Sequence, residues 1–146
     1  MSAVVSSRPE HVSIDALIAS ELAPRVAAID LEGEYPEAFL RALVGLGGLG
    51  AVVPPAHGGS GTGLVDTIAT MAKVGEVCLS TAFTHWCHTA CARYIANSDN
   101  EQARAALLPA LARGELLGGT GLSNTLKSSC EIERFLLSAK RVEGGY

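Results

Sequence analysis

Between Leu43 and Gly61 the chain reads LVGLGGLGAVVPPAHGGSG, with seven glycines and two prolines in nineteen residues. So many freely rotating residues, with two that lack a backbone donor, leave no room for a regular element. The stretch has to be an irregular connection between better-patterned segments. It also holds a misleading motif. Gly45-Leu46-Gly47-Gly48-Leu49-Gly50 fits G-x-G-x-x-G, and Asp66 follows where a ribose-binding acid would stand. That reading needs a strand before the first glycine and a helix opening at the last. The order here is reversed. Phe39, Ala42, Leu43 and Leu46 recur at helical spacing ahead of the glycines. Ala51-Val52-Val53 follows them and is stopped by Pro54-Pro55, which holds Val53 toward extended geometry. The glycines end a helix and open no phosphate-binding one.

Helical patterns flank this connection on both sides. Residues 1–12 read as a flexible leader. Ser13 can cap a helix bearing Ile14, Leu17, Ile18 and Leu22, with Asp15 in its first turn. Pro24 splits or kinks it, and Val26 and Ile29 continue the apolar face. Pro36 suits the first position of the next helix. Downstream, Thr62 is the expected cap of a helix with Leu64, Ile68, Met71 and Gly75 on one face, and Ser80 or Thr81 that of another. The latter carries the clearest apolar stripe: Phe83, Trp86, Cys87, Ala90, Cys91, Tyr94 and Ile95. Ser98-Asp99-Asn100-Glu101 has the form of a capping box, Pro109 is expected to divide the helix it opens, and Gly114 to end it. From Leu116 the pattern changes. Leu116 to Leu122 is glycine-rich, Phe135 to Val142 alternates like a strand, and Gly144-Gly145 looks like a hairpin turn. The fold class expected is mainly α: an up-and-down bundle of five to six helices over residues 13–115, followed by a short β stub over 116–146.

Composition narrows the function. The net charge is −4, and the eleven basic residues are scattered, so no basic stripe argues for nucleic acid or an anionic membrane. No apolar run approaches the length of a membrane span. Met1 to Glu10 lacks the basic-then-apolar pattern of a secretory signal. Four cysteines without export features imply reduced thiols and a cytoplasmic location.

The titratable residues make no obvious constellation. His85, Cys87, His88 and Cys91 crowd one helix, but structural zinc takes four ligands, usually from two elements, and Cys78 and Cys130 stand alone. Packing is the better account of the cysteines, which behave as small hydrophobes. Cys87 and His88, as sequence neighbours on a helix, do not face each other. His57 reads as a surface loop residue, and a packing or hydrogen-bonding role suits His88. Glu32, Glu34, Glu131 and Glu133 are expected to face water. No catalytic residue and no metal site is assigned.

The residues do carry a family resemblance. Tyr35-Pro36-Glu37, then Leu43 to Gly50, then Val53-Pro54-Pro55-Ala56-His57-Gly58-Gly59-Ser60-Gly61 resembles the amino-terminal helical domain of the acyl-CoA dehydrogenase family. Asn100-Glu101-Gln102, Leu107-Leu108-Pro109 and Arg113-Gly114-Glu115 form a second matching block at the right separation. The resemblance covers about Ser13 to Tyr146, and His88 falls where the family often has histidine. It implies a flavoenzyme that removes hydrogens from the α and β carbons of an acyl thioester, with FAD as acceptor and a carboxylate as base. Thr120 to Cys130 matches the loop that in the family touches flavin and substrate. Carried over by position, Leu122 and Ser123 take flavin-ring contacts and Ser129 the serine nearer the substrate. This chain has Ser123 for threonine, Asn124 for glutamate, Ser128 for glycine and Cys130 for aspartate. In the family a β-barrel begins at this point and a carboxyl-terminal helical bundle, which supplies the base, follows. The chain is thus expected to be a fragment, a truncated product or one piece of a split enzyme. It should be inactive alone, bind FAD weakly if at all, and partner a homo-oligomer or a complementary subunit. Two other readings remain open: part of a flavin-dependent monooxygenase of the same superfamily, and a non-enzymatic helical interaction module.

Overall fold

The computed structural model describes residues 13–144; the expected leader and Gly145 lie outside that range. The first helix, α1 (Ile14–Leu17), begins at Ser13, whose hydroxyl accepts the Ala16 N–H at 3.1 Å. It runs on as a wide π turn (Ile18–Leu22) and a tight 3-10 turn (Ala23–Arg25) that accommodates Pro24, and then as α2 (Val26–Glu32). The chain therefore answers the proline by changing its helical pitch and stays helical throughout. Gly33, at φ 74°, ends α2 in the left-handed conformation that favours glycine.

Pro36 precedes α3 (Glu37–Ala42), and a 3-10 turn (Leu43–Leu46) extends it to Gly47 at φ 73°. The Gly/Pro connection then folds on itself. The Gly50 carbonyl accepts from the N–H groups of both Val53 and Ser60 at 3.1 Å, and Gly63 N–H donates to Ala51 at 2.8 Å. Residues 51–53 form turns in place of the extended run their sequence implies. Neither a strand before Gly45 nor a helix at Gly50 is present, so the dinucleotide reading is excluded.

Three longer helices follow: α4 (Leu64–Gly75), α5 (Leu79–Ala96) and α6 (Glu101–Ala112). Their caps differ from those expected. Gly63 at φ 92° stands at the start of α4, and Thr62 instead pairs its hydroxyl with Ser60 at 3.3 Å. Cys78 caps α5, its sulfur accepting the Thr81 N–H at 3.4 Å. Asn100 caps α6 through Ala103 N–H at 3.0 Å, two residues after Ser98, the expected cap. Pro109 sits within α6 without dividing it. The carbonyl it leaves unbonded belongs to Ala105, an exposed residue that water can serve. Gly114 ends the helix at φ 64°, as its sequence position implies.

Two clusters make the core. The larger joins Leu17, Ile18, Leu22 and Ile29 to Phe39, Leu40, Leu43, Leu49, Val74, Cys78 and Ala82. The smaller joins Val53 to Ala92, Leu108, Leu111 and Ala112. Helix α5 crosses between them, giving Ala82 to one and Ala92 to the other. The face it buries is Thr81, Ala82, His85, His88, Thr89 and Ala92. This overturns the expected stripe, because Phe83, Trp86 and Tyr94 are exposed and Cys87 and Cys91 only half-buried. On α4 the buried residues are likewise Thr67 and Val74, while Leu64 and Ile68 are exposed.

The β stub is not shown. Leu122–Ser129 is a helix, α7. Residues 135–141 have no regular structure, and Val142 forms an isolated bridge. The fold described is otherwise the mainly helical one its sequence implies.

Candidate functional site

His85 and His88 occupy the polar seam of α5 between the two core clusters. His85 is fully buried and His88 is 1% exposed. His85 Nε2 lies 3.2 Å from the Gly48 carbonyl, so that nitrogen carries the proton and donates. His88 Nδ1 accepts the Gly118 N–H at 3.2 Å, so the proton of its neutral ring is on Nε2. His85 Nδ1 and His88 Nε2 have no hydrogen-bond partner of normal geometry. Burial lowers the pKa of both rings. For His88 it falls to about 4, through burial first and the neighbouring His85 second, with the Leu49 and Leu111 carbonyls acting against the shift. Both rings are therefore neutral at pH 7. Each fastens an irregular segment to α5: the Gly/Pro connection through Gly48, and the chain leading to α7 through Gly118. The hydrogen-bonding role expected for His88 is present, and His85, passed over in the sequence, has the same role.

The close approach at this seam depends on small residues. A Cβ on Gly118 would lie 2.7 Å from Cys91 Sγ, and one on Gly59 would strike the Val53 carbonyl. Burial raises the thiol pKa values of Cys87 and Cys91, which keeps them protonated and unreactive.

Helix α7 carries the three residues singled out by position. Leu122 is half-buried in its first turn, while Ser123 is exposed and its hydroxyl has no hydrogen-bond partner among the described residues. Ser129 lies at the other end, where its hydroxyl donates to the Thr125 carbonyl at 2.9 Å. A residue that sequence reasoning did not single out holds the segment together. Asn124 Nδ2 donates to Glu133 Oε1 at 2.9 Å and to the Arg134 carbonyl at 3.1 Å, and its Oδ1 accepts Leu136 N–H at 2.9 Å. Glu133 also lies 3.5 Å from Lys127, so it does not simply face water. A free hydroxyl at the start of a helix, beside first-turn amides, can receive the edge of a flavin ring. In its present rotamer the Ser129 hydroxyl proton is committed to Thr125, which leaves its oxygen as an acceptor.

The remaining titratable residues are dispersed. Glu34 accepts from Arg25 at 2.6 Å, and Glu37 from Arg41 at 2.9 Å. Both line an open cleft of about 560 Å³ floored by Leu22, Ile29 and Phe39. His57 is half-buried in the turn after Pro55. No three His, Cys, Asp or Glu side chains converge as metal ligands among the described residues.

Comparison with known proteins decides the family. The sequence pattern described as "Acyl-CoA dehydrogenase, N-terminal domain" matches residues 12–115. The chain belongs to the acyl-CoA dehydrogenase family. It is 28% identical over 123 residues to isovaleryl-CoA dehydrogenase, mitochondrial, of Bos taurus, covering 82% of this chain and 29% of that protein. The same enzyme of Pongo abelii is 27% identical over the same extent. Acryloyl-CoA reductase (NADH) of Anaerotignum propionicum is 26% identical over 103 residues, covering 70% of this chain and 26% of that protein. The chain thus spans less than a third of the length of these relatives. No solved structure matches. Among the described residues no helix is long and apolar enough to cross a membrane.

Proposed function

We propose that residues 13–115 are the amino-terminal helical domain of an FAD-dependent acyl-CoA dehydrogenase-type oxidoreductase, acting on the CH–CH bond of an acyl thioester, and that residues 116–146 begin its middle domain. The match over residues 12–115 carries the proposal. The relatives named as isovaleryl-CoA dehydrogenases and as an acryloyl-CoA reductase support the same bond class in its two directions.

Within that reading, Leu122 and Ser123 meet the flavin ring edge and Ser129 lies nearer the thioester. FAD, when bound, supplies the hydride acceptor. The chain's own contribution is positional. His88 holds Gly118, four residues before Leu122, and Asn124 fixes α7 against residues 133–136. Removal of an α proton also needs a carboxylate held at the reacting carbon. Of the three carboxylates at the cleft of about 560 Å³, Glu34 is tied to Arg25 and Glu37 to Arg41, and Glu21 is exposed with no side chain among the described residues holding it in place. We therefore assign the base, and most of the flavin surface, to polypeptide outside residues 1–146, and expect no turnover from this chain alone. Four unpaired cysteines fit a reducing compartment, and we place the protein in the cytoplasm.

The test is size-exclusion chromatography of the tagged chain isolated from the cells that make it. A yellow complex with a second polypeptide, absorbing near the flavin band, is the expected result. A colourless homo-oligomer would overturn the proposal in favour of a helical interaction module.

A further inference from the structure

The groove between α4 and α5 has a composition that the flavin reading does not use. Leu64, Ile68 and Met71 of α4 form one wall, and Trp86 and Tyr94 of α5 the other, around about 250 Å³. Arg93 stands in the lining, exposed. Arg25, Arg41, Arg104 and Arg113 are each held by a glutamate, whereas Arg93 has no such partner among the described residues. No carboxylate lines the groove; Asp66 of α4 opens on a separate cleft beside Gly47 and Thr70. An apolar slot with one uncompensated guanidinium is complementary to a molecule with a hydrocarbon body and a single planar anion.

We infer that this groove binds an amphipathic carboxylate, its alkyl chain between α4 and α5 and its head on Arg93. At about 250 Å³ the groove has room for a short alkyl chain. The alkyl chain gains burial against the indole and phenol rings, and the guanidinium selects the anion over a cation of the same length. The inference does not rest on the flavin reading, since none of the groove's residues belongs to α7.

Trp86 is the single tryptophan of the chain and lies in the groove wall, so its emission reports occupancy directly. The intact chain is titrated with sodium octanoate and, in parallel, with octylammonium. The expected result is a saturable change in Trp86 emission with octanoate and none with octylammonium. Arg93→Gln should weaken octanoate about tenfold or more, at unchanged circular dichroism and melting temperature, and Arg93→Lys should restore part of the loss. Equal responses to the two amphiphiles, or an unchanged midpoint in Arg93→Gln, would overturn the inference. So would Trp86 emission that depends on protein concentration without ligand and ignores octanoate, because a second polypeptide would then cover the face.

Discussion

His88 is the residue whose chemistry most constrains the folded state. Its pKa falls to about 4 on burial, from the 6.5 of an open imidazole. Below pH 6.5 the unfolded chain takes up a proton that the folded chain refuses until about pH 4. The stability His88 supports is thus complete above pH 6.5 and is lost as pH falls through that window, by about 3 kcal/mol in all. His85 is shifted in the same direction by burial and adds to the loss. Thermal melts at pH 7.5 and pH 4.5 should show the drop, and His88→Gln should have the smaller pH dependence, since glutamine can accept from Gly118 without titrating. A backbone prediction belongs to the same scale. Gly59→Ala places a Cβ against the Val53 and Gly50 carbonyls, neither of which can move without unmaking the turn. It should cost about 2 kcal/mol or more by denaturant titration. The glycines announced an irregular connection in the sequence, but which of them could not carry a side chain depended on what the chain passes over.

At the scale of elements, α5 shows where sequence reasoning runs out. Positions 81, 85, 88 and 92 and positions 83, 87, 90 and 94 have the same helical period. Hydrophobicity favours the second set because it holds Phe83, Cys87 and Tyr94, yet the first is buried. Small and hydrogen-bonding side chains admit the two backbone segments that pass over α5, and Gly48 and Gly118 each need a partner there. No local signal identifies that need. Helix α1 was legible because its apolar face and its Ser13 cap agree. Helix α7 was not, because Leu122 to Ser129 is rich in serine, threonine and asparagine, residues that favour turns as readily as helices. Asn124 accounts for part of its persistence, through three hydrogen bonds to residues 133, 134 and 136. Asn124→Ala should change global stability by about 1 kcal/mol or less, these contacts being partly exposed. It should nevertheless abolish hydrogen-exchange protection at Leu136 N–H and speed exchange across α7. Unchanged exchange there would mean that α7 stands without the clamp.

The whole molecule is a helical domain with two core clusters joined by one histidine-bearing helix, and it belongs to a family whose relatives here it matches over less than a third of their length. The helical class and the family were legible in the sequence, from the Leu43 to Gly61 connection and the Asn100 to Glu115 block. The proposed flavin residues were reached by position alone, and their surroundings, a helix pinned by Asn124, were not. The central claim is that this chain supplies the helical frame of a flavoenzyme while the flavin surface and the base belong to other polypeptide. Titration of the purified chain with FAD, followed by flavin fluorescence, tests it most directly. The account predicts no saturable binding at micromolar FAD; a submicromolar dissociation constant for the chain alone would contradict it.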